Sequence, residues 1–154
     1  MRPIVLLIVA LELLAGAAGA RAAPPAALEP VEGRVVWVDF WASWCVPCRR
    51  SFPWLNTMQR KYGDAGLQII AVNLDKDRAL ADAFLAEVPA EFGLRFDPGA
   101  ALAKQFAVQT MPSSFLIDRD GQILTSHFGF RTSDTADYEH AIEAALAKTR
   151  AAQP

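Results

Sequence analysis

The sequence predicts a layered α/β domain, and three features of the pattern support this. Strand-like and helix-like runs alternate along most of the chain. The run from Leu67 to Leu74 is almost continuously apolar, which is typical of a central strand covered on both faces. The chain then ends in a strand–turn–strand pattern and a helix. At 154 residues, the length suits a single domain.

The first half predicts two strands and two helices. The first strand covers 34–40, and the apolar run 67–74 is the second. Between them, large side chains recur at helical spacing until Gly63 ends the run: Phe52, Leu55, Met58 and Tyr62. A second helix, ended by Pro89, carries a similar stripe: Leu80, Phe84, Leu85 and Val88.

The second half predicts a short strand over 91–96, and then a turn over 97–99 that leads into a brief helix ending near Phe106. Two further strands, 113–118 and 122–128, are joined by the hairpin turn Arg119-Asp120-Gly121. The last helix has a stripe of buried positions: Tyr138, Ile142 and Leu146.

The N-terminus predicts export. Residues 1–22 hold an apolar run followed by small residues, typical of a signal peptide, with an uncleaved membrane anchor as the alternative. Residues 23–32 form a proline-rich linker, and 33–150 form the domain. Cleavage after Ala22 leaves 13 basic and 16 acidic side chains, a net charge of −3. Nothing in this charge pattern indicates nucleic-acid binding. We expect a periplasmic protein.

Cys45 and Cys48 are the only cysteines, and they lie between the first strand and the first helix. A structural disulfide across so short a loop would constrain the unfolded chain weakly. A structural zinc site needs four ligands, and only His127 and His140 could add to the pair, so we predict no metal site. The spacing therefore favours an exposed pair with redox chemistry.

Several motifs, taken together, resemble the exported TlpA/ResA-like thiol-disulfide oxidoreductases of the thioredoxin fold. They are Val38–Arg49 around the cysteines, Phe52-Pro53, Ala71–Asp75 and Met111–Gly121. The resemblance implies a central mixed sheet flanked by helices. It also implies that residues 75–97 are the helix–strand insertion of TlpA-like proteins.

The two cysteines have different expected roles. Cys45 should lie at the start of the helix, where free N–H groups and the helix dipole stabilise its thiolate as the attacking group. Cys48, one turn further on, should be buried and act as the resolving thiol. No cofactor is expected beyond the redox-active Cys45–Cys48 disulfide.

The resemblance also implies a substrate-binding surface beside the pair. Pro112 would be the cis-proline that faces the disulfide, and the Met111 backbone would pair with an extended substrate segment. An ordinary trans turn proline is the alternative. The surface as a whole consists of Trp44, Val46, Pro47, Met111 and Pro112.

Asp39 is the third candidate catalytic residue. It lies within the apolar run Val35–Trp41, so burial should raise its pKa. In thioredoxins an aspartate at this place relays the proton of the second cysteine; a solvated aspartate at a strand end is the alternative. The resemblance further implies an acidic residue after the second strand. Asp75 and Asp77 lie nearby, but the nearest match is Lys76, so that role stays open.

The expected function is reduction of protein disulfides, with a membrane thiol electron donor recharging a monomeric protein. Cytochrome c precursors or copper-site thiols are the substrates that the resemblance implies. Two alternatives use the same cysteines: a disulfide oxidase or isomerase, and a copper metallochaperone that adds His127 as a ligand.

Overall fold

The computed structural model describes Leu28 and residues 33–150. The predicted signal peptide, 1–22, and the linker other than Leu28 lie outside the described residues. Within the described part, no helix is both long and apolar enough to cross a membrane.

The strands and helices follow the predicted order, with small differences at their ends. The strands are β1 (Val35–Trp41), β2 (Leu67–Asn73), β3 (Gly93–Phe96), β4 (Ser113–Ile117) and β5 (Ile123–Phe128). The α-helices are α1 (Val46–Tyr62), α2 (Arg78–Glu87), α3 (Ala101–Gln105) and α4 (Thr135–Arg150). A short 3₁₀ turn, Thr132–Asp134, precedes α4.

The five strands form one mixed sheet in the order β3-β2-β1-β4-β5. β1 lies in the centre, parallel to β2 and antiparallel to β4. β3 extends the parallel half, and β5 extends the antiparallel half. This confirms the predicted mixed sheet, and α2 with β3 forms the predicted insertion.

The two faces of β1 have separate cores, because successive side chains of a strand point to opposite faces. Val36, Val38 and Phe40 pack with residues of α3 and with Leu28. Val35, Trp37 and Trp41 pack with both cysteines and with buried residues of α1, α2 and α4, among them Phe52, Leu55, Phe84, Tyr138 and Ile142. The redox motif therefore belongs to the second core.

Candidate active site

The cysteine pair lies where β1 passes into α1. Cys45 is the N-cap of α1, and its Sγ accepts a hydrogen bond of 3.3 Å from the Cys48 backbone N–H. A disulfide joins the two residues, whose Cα atoms are 5.3 Å apart. Sulfur at a cap position receives a backbone donor and the positive end of the helix dipole. The predicted position of Cys45 at the start of the helix is confirmed.

The predicted exposure of the pair was wrong, whereas the expected burial of Cys48 is confirmed. Cys45 is only 3% exposed and Cys48 is fully buried, because the large side chains of the second core enclose them. The residues beside Cys45 are the exposed ones: Trp44 is 69% exposed and Val46 is 64% exposed. A partner that reaches Cys45 therefore meets an apolar rim first. Trp41, by contrast, is a core residue with no exposed surface.

Asp75 fixes the loop that carries the pair; the sequence left open whether Asp75 or Asp77 contributes to the site. One carboxylate oxygen accepts a 2.8 Å bond from the Ser43 N–H, and the other a 2.9 Å bond from the Ser43 hydroxyl. The Asn73 side-chain amide adds a 2.7 Å bond. Asp75 thus ties the residue two before Cys45 to the end of β2. Asp77 has a different role, because it caps α2 through the Ala79 N–H.

The Met111–Pro112 peptide is cis, as the resemblance implied. The Pro112 carbonyl accepts a 2.8 Å bond from the Gly129 N–H, and the Ser113 hydroxyl donates to the Thr110 carbonyl at 2.6 Å. These bonds attach the loop to the end of β5 and to its own backbone. A groove of about 640 Å³ lies beside it. Its lining includes Trp44, Leu74, Ala103, Lys104, Val108 and Met111.

Asp39 lies in the middle of β1 and is 1% exposed, so the alternative of a solvated strand-end aspartate was wrong. The Ser114 hydroxyl donates to its Oδ1 at 2.6 Å, while Oδ2 is buried and has no hydrogen-bond partner in the described structure. Burial raises the pKa of Asp39 to about 7, and the Ser114 hydrogen bond opposes this rise. The predicted rise in pKa is confirmed.

Asp39 points to the same side of the sheet as the cysteine pair. Side chains two apart on a strand share a face, and Trp37 and Trp41 on either side of Asp39 pack in the core that holds Cys48. The structure therefore brings Cys45, Cys48 and Asp39 to one face of β1.

The sequence matches a family of known proteins. A family model described as Redoxin matches residues 24–142. The chain belongs to the Redoxin family. Its architecture is the thioredoxin-like fold that the motifs implied.

Named relatives of this Redoxin chain act on thiols and disulfides. The thiol-disulfide oxidoreductase ResA of Bacillus cereus is 31% identical over 107 residues, covering 70% of this chain and 62% of that protein. The chain thus spans less than two thirds of that relative. A Chlorobium tepidum structure assigned as thiol:disulfide interchange protein DsbE is 53% identical with a TM-score of 0.74, covering 75% of this chain and 82% of that chain.

A third comparison concerns the fold alone. The crystal structure of StoA from Bacillus subtilis is 24% identical to the chain and gives a TM-score of 0.62. The match covers 72% of this chain and 85% of the StoA chain.

The histidines lie apart from the redox pair. His127, on β5, stacks on Trp37 with the ring centroids 5.6 Å apart and also contacts Tyr138. His140 is exposed and lies 4.0 Å from Glu143. Within the described residues, no three His, Cys, Asp or Glu side chains form a group that could hold a metal ion. The described structure therefore does not bring His127 to the cysteines as a third copper ligand.

Proposed function

We propose that this Redoxin protein is an exported thiol-disulfide oxidoreductase that reduces protein disulfides through Cys45 and Cys48. The observation that carries the proposal is the cap geometry of Cys45. Its Sγ accepts the Cys48 N–H at the first turn of α1, and two exposed apolar residues flank it. The start of the helix stabilises a thiolate on Cys45. The two exposed residues form an apolar rim that a protein substrate can contact.

The first step is an attack on the substrate. In the reduced protein, the Cys45 thiolate forms a bond to one sulfur of the substrate disulfide, and that disulfide breaks. The leaving sulfur departs as a thiolate and takes a proton from solvent. The product is a mixed disulfide between Cys45 and the substrate.

The second step resolves the mixed disulfide. Cys48 loses its proton to the Asp39 carboxylate, and its sulfur attacks the Sγ of Cys45. The Cys45–Cys48 disulfide forms, and the second substrate sulfur leaves as a thiolate. Asp39 suits this role because it is buried on the same face as the pair and its pKa is about 7, so it can hold or release a proton near neutral pH.

The substrate would lie across the cis-proline loop and the groove beside it. Trp44, Val46 and Pro47 contribute the rim at the cysteines, and the Met111 backbone offers hydrogen bonds to an extended segment. The groove is mainly apolar, with Lys104 as its charged lining residue. Pro112 closes the loop against the end of β5.

The compartment and partners belong to the same proposal. The signal-like segment 1–22 supports export to the periplasm, where a dedicated membrane thiol donor would have to return two electrons and two protons to the Cys45–Cys48 disulfide. Cytochrome c precursors or copper-site thiols are the substrates we propose. Protease protection of the full-length protein in intact cells, and its loss after the outer membrane is opened, tests the location.

The proposal is tested with two matched variants, Cys45→Ala and Cys48→Ala, of the full chain. Cys48→Ala should accumulate mixed disulfides with envelope proteins, because the first attack proceeds and resolution does not. Cys45→Ala should accumulate none. Partners are released by reduction and identified by mass spectrometry, and insulin reduction by the purified wild type serves as the activity readout.

Two outcomes would change the proposal. If Cys45→Ala traps partners and Cys48→Ala does not, the roles of the two cysteines are reversed. If the wild type oxidises reduced substrates in the envelope and cannot reduce insulin, the electrons flow in the opposite direction and the protein is an oxidase.

A further inference from the structure

We propose that Ser114 is a positioning residue of the redox site: its hydroxyl holds one carboxyl oxygen of Asp39, so that the other oxygen stays available to the Cys48 thiol. The inference rests on the proposed function, in which Asp39 takes the proton of Cys48. It adds Ser114, which is 75 positions away from Asp39 in sequence. Ser114 acts through Asp39 and takes no direct part in the thiol-disulfide exchange.

The sheet register brings the two side chains together. Asp39 and Ser114 are directly paired residues of the antiparallel strands β1 and β4, so their side chains share a face. The Oγ–Oδ1 distance is 2.6 Å, and Ser114 itself is only 6% exposed. A short bond between two buried side chains on a rigid central sheet fixes the orientation of the carboxyl group.

The remaining oxygen of Asp39 is left without a partner. Oδ2 is buried and receives no hydrogen bond in the described structure. A buried carboxylate oxygen that accepts no hydrogen bond destabilises the fold unless another group donates a hydrogen bond or a proton to it. A cysteine thiol on the same face, giving up its proton during resolution, is such a group.

Few other polar groups surround Asp39, and the Trp37 Nε1, Trp41 Nε1 and His127 Nε2 atoms are also buried without a hydrogen-bond partner in the described structure. On its own face, β1 contributes Trp37 and Trp41, and β2 contributes its register partner Ala71. The titratable groups in this core are Cys45 at the N-cap of α1, Cys48 and Tyr62 of α1, His127 of β5 and Tyr138 of α4. His127 is the register partner of Ser114. Burial lowers the pKa of His127, and the charge of Asp134, in the turn before α4, opposes this.

Ser114 supplies the one hydrogen bond that the described structure gives to the Asp39 carboxylate, because none of these neighbours donates to it. Burial raises the pKa of Asp39, and the bond from Ser114 lowers it. Removing the hydroxyl should therefore move the Asp39 titration to higher pH. Less of the carboxylate would then be available as a base at neutral pH.

The test uses the matched pair Ser114→Thr and Ser114→Val in the reduced full chain. The two side chains have nearly the same shape, and both suit a strand, but only threonine keeps the hydroxyl. The Asp39 carboxyl is followed by carbon-13 NMR across pH. We expect the midpoint to stay near the wild-type value in Ser114→Thr and to rise by about one pH unit in Ser114→Val.

Kinetics provide the second readout. A mixed disulfide with a small thiol is formed on Cys45, and the rate of its resolution is measured across pH. The profile of Ser114→Val should move to higher pH by the same amount as the NMR midpoint. Ser126→Ala is the control: Ser126 is exposed on β5, so both midpoints should stay in place.

The outcomes separate this inference from the proposed function. An Asp39 midpoint that is the same in the Thr and Val variants would overturn the role of Ser114. A midpoint that rises while the resolution profile stays fixed would overturn Asp39 as the base, and with it the catalytic meaning of the Ser114 bond. Insulin reduction that is lost in the Cys45→Ala variant supports the redox function in either case.

Discussion

Two buried aspartates border the redox motif, and their hydrogen bonds differ sharply. Asp75, at the end of β2, is 6% exposed and accepts bonds from the Ser43 N–H, the Ser43 hydroxyl and the Asn73 amide. Asp39, in the middle of β1, is 1% exposed and accepts one bond, from Ser114. One of its oxygens has no partner in the described structure.

The difference indicates that Asp75 has a structural role and that Asp39 has a chemical one. Three donors around Asp75 stabilise its charge and fix the loop before Cys45. Burial raises the pKa of Asp39 to about 7, and its single hydrogen bond, from Ser114, opposes only part of that rise. A group that exchanges protons near neutral pH suits catalysis but weakens the fold. Asp75 thus holds the loop before Cys45, whereas ionisation of Asp39 weakens the fold.

The largest expected effect is the pH dependence of Asp39→Asn. The folded pKa of Asp39 lies above its unfolded value of 3.8, so the wild type loses stability as pH rises from about 4 to about 7. Asparagine cannot ionise and escapes this loss. The variant should gain about 4 kcal/mol more relative to wild type at pH 8 than at pH 4. Urea unfolding of the oxidised proteins at both pH values measures this.

An equal effect of Asp39→Asn at both pH values would contradict the account. It would mean that the Asp39 carboxyl does not titrate differently in the folded and unfolded states. Ser126→Ala, at an exposed position of β5, is the control for handling at the two pH values.

Asp75→Ala is expected to have a smaller effect on the free energy of unfolding. The change leaves the Ser43 and Asn73 donors without their acceptor, so stability should fall by about 2 kcal/mol. Asp77→Ala is the matched control. It removes an exposed cap of α2 and should cost about 1 kcal/mol.

Alkylation of reduced Cys45 by iodoacetamide adds a second measure of Asp75. The Asp75→Ala variant should show a changed rate, because Ser43 lies two residues before Cys45, while Asp77→Ala should react as the wild type does. If Asp75→Ala costs no more stability than Asp77→Ala and leaves alkylation unchanged, the loop does not depend on Asp75.

The smallest effect on stability is expected from Trp44→Ala. The ring is 69% exposed, so the free energy of unfolding should change by less than about 0.5 kcal/mol. Insulin reduction should nevertheless fall, because Trp44 contributes to the rim and the groove beside Cys45. A variant that is clearly destabilised, with unchanged insulin reduction, would make Trp44 a structural residue.

Local pattern was enough to predict most of the fold. Alternating apolar runs predicted all five strands and the four α-helices, and Cys45 lies at the predicted start of α1. These features depend on residues close together in the chain. The raised pKa of Asp39 was also predictable, because the apolar residues that bury it are its neighbours in sequence.

What the sequence did not predict depends on contacts between distant segments. The bond from Ser114 to Asp39 spans 75 positions, and the bonds from Ser43 to Asp75 span 32. A polar residue in the middle of the predicted strand 113–118 was the available signal for Ser114. The burial of Cys45 was missed for the same reason, since side chains from three helices build the core around it.

The central claim is that the buried Asp39 carboxylate takes the proton of Cys48, and resolution of a preformed mixed disulfide on Cys45 tests it most directly. Wild type and Asp39→Asn are compared at pH 8, where the wild-type carboxyl is mostly ionised. Asparagine preserves the shape and an acceptor for Ser114 but cannot accept the proton. We predict resolution at least ~100-fold slower in the variant. An unchanged rate would contradict the account and leave Asp39 without a part in the chemistry.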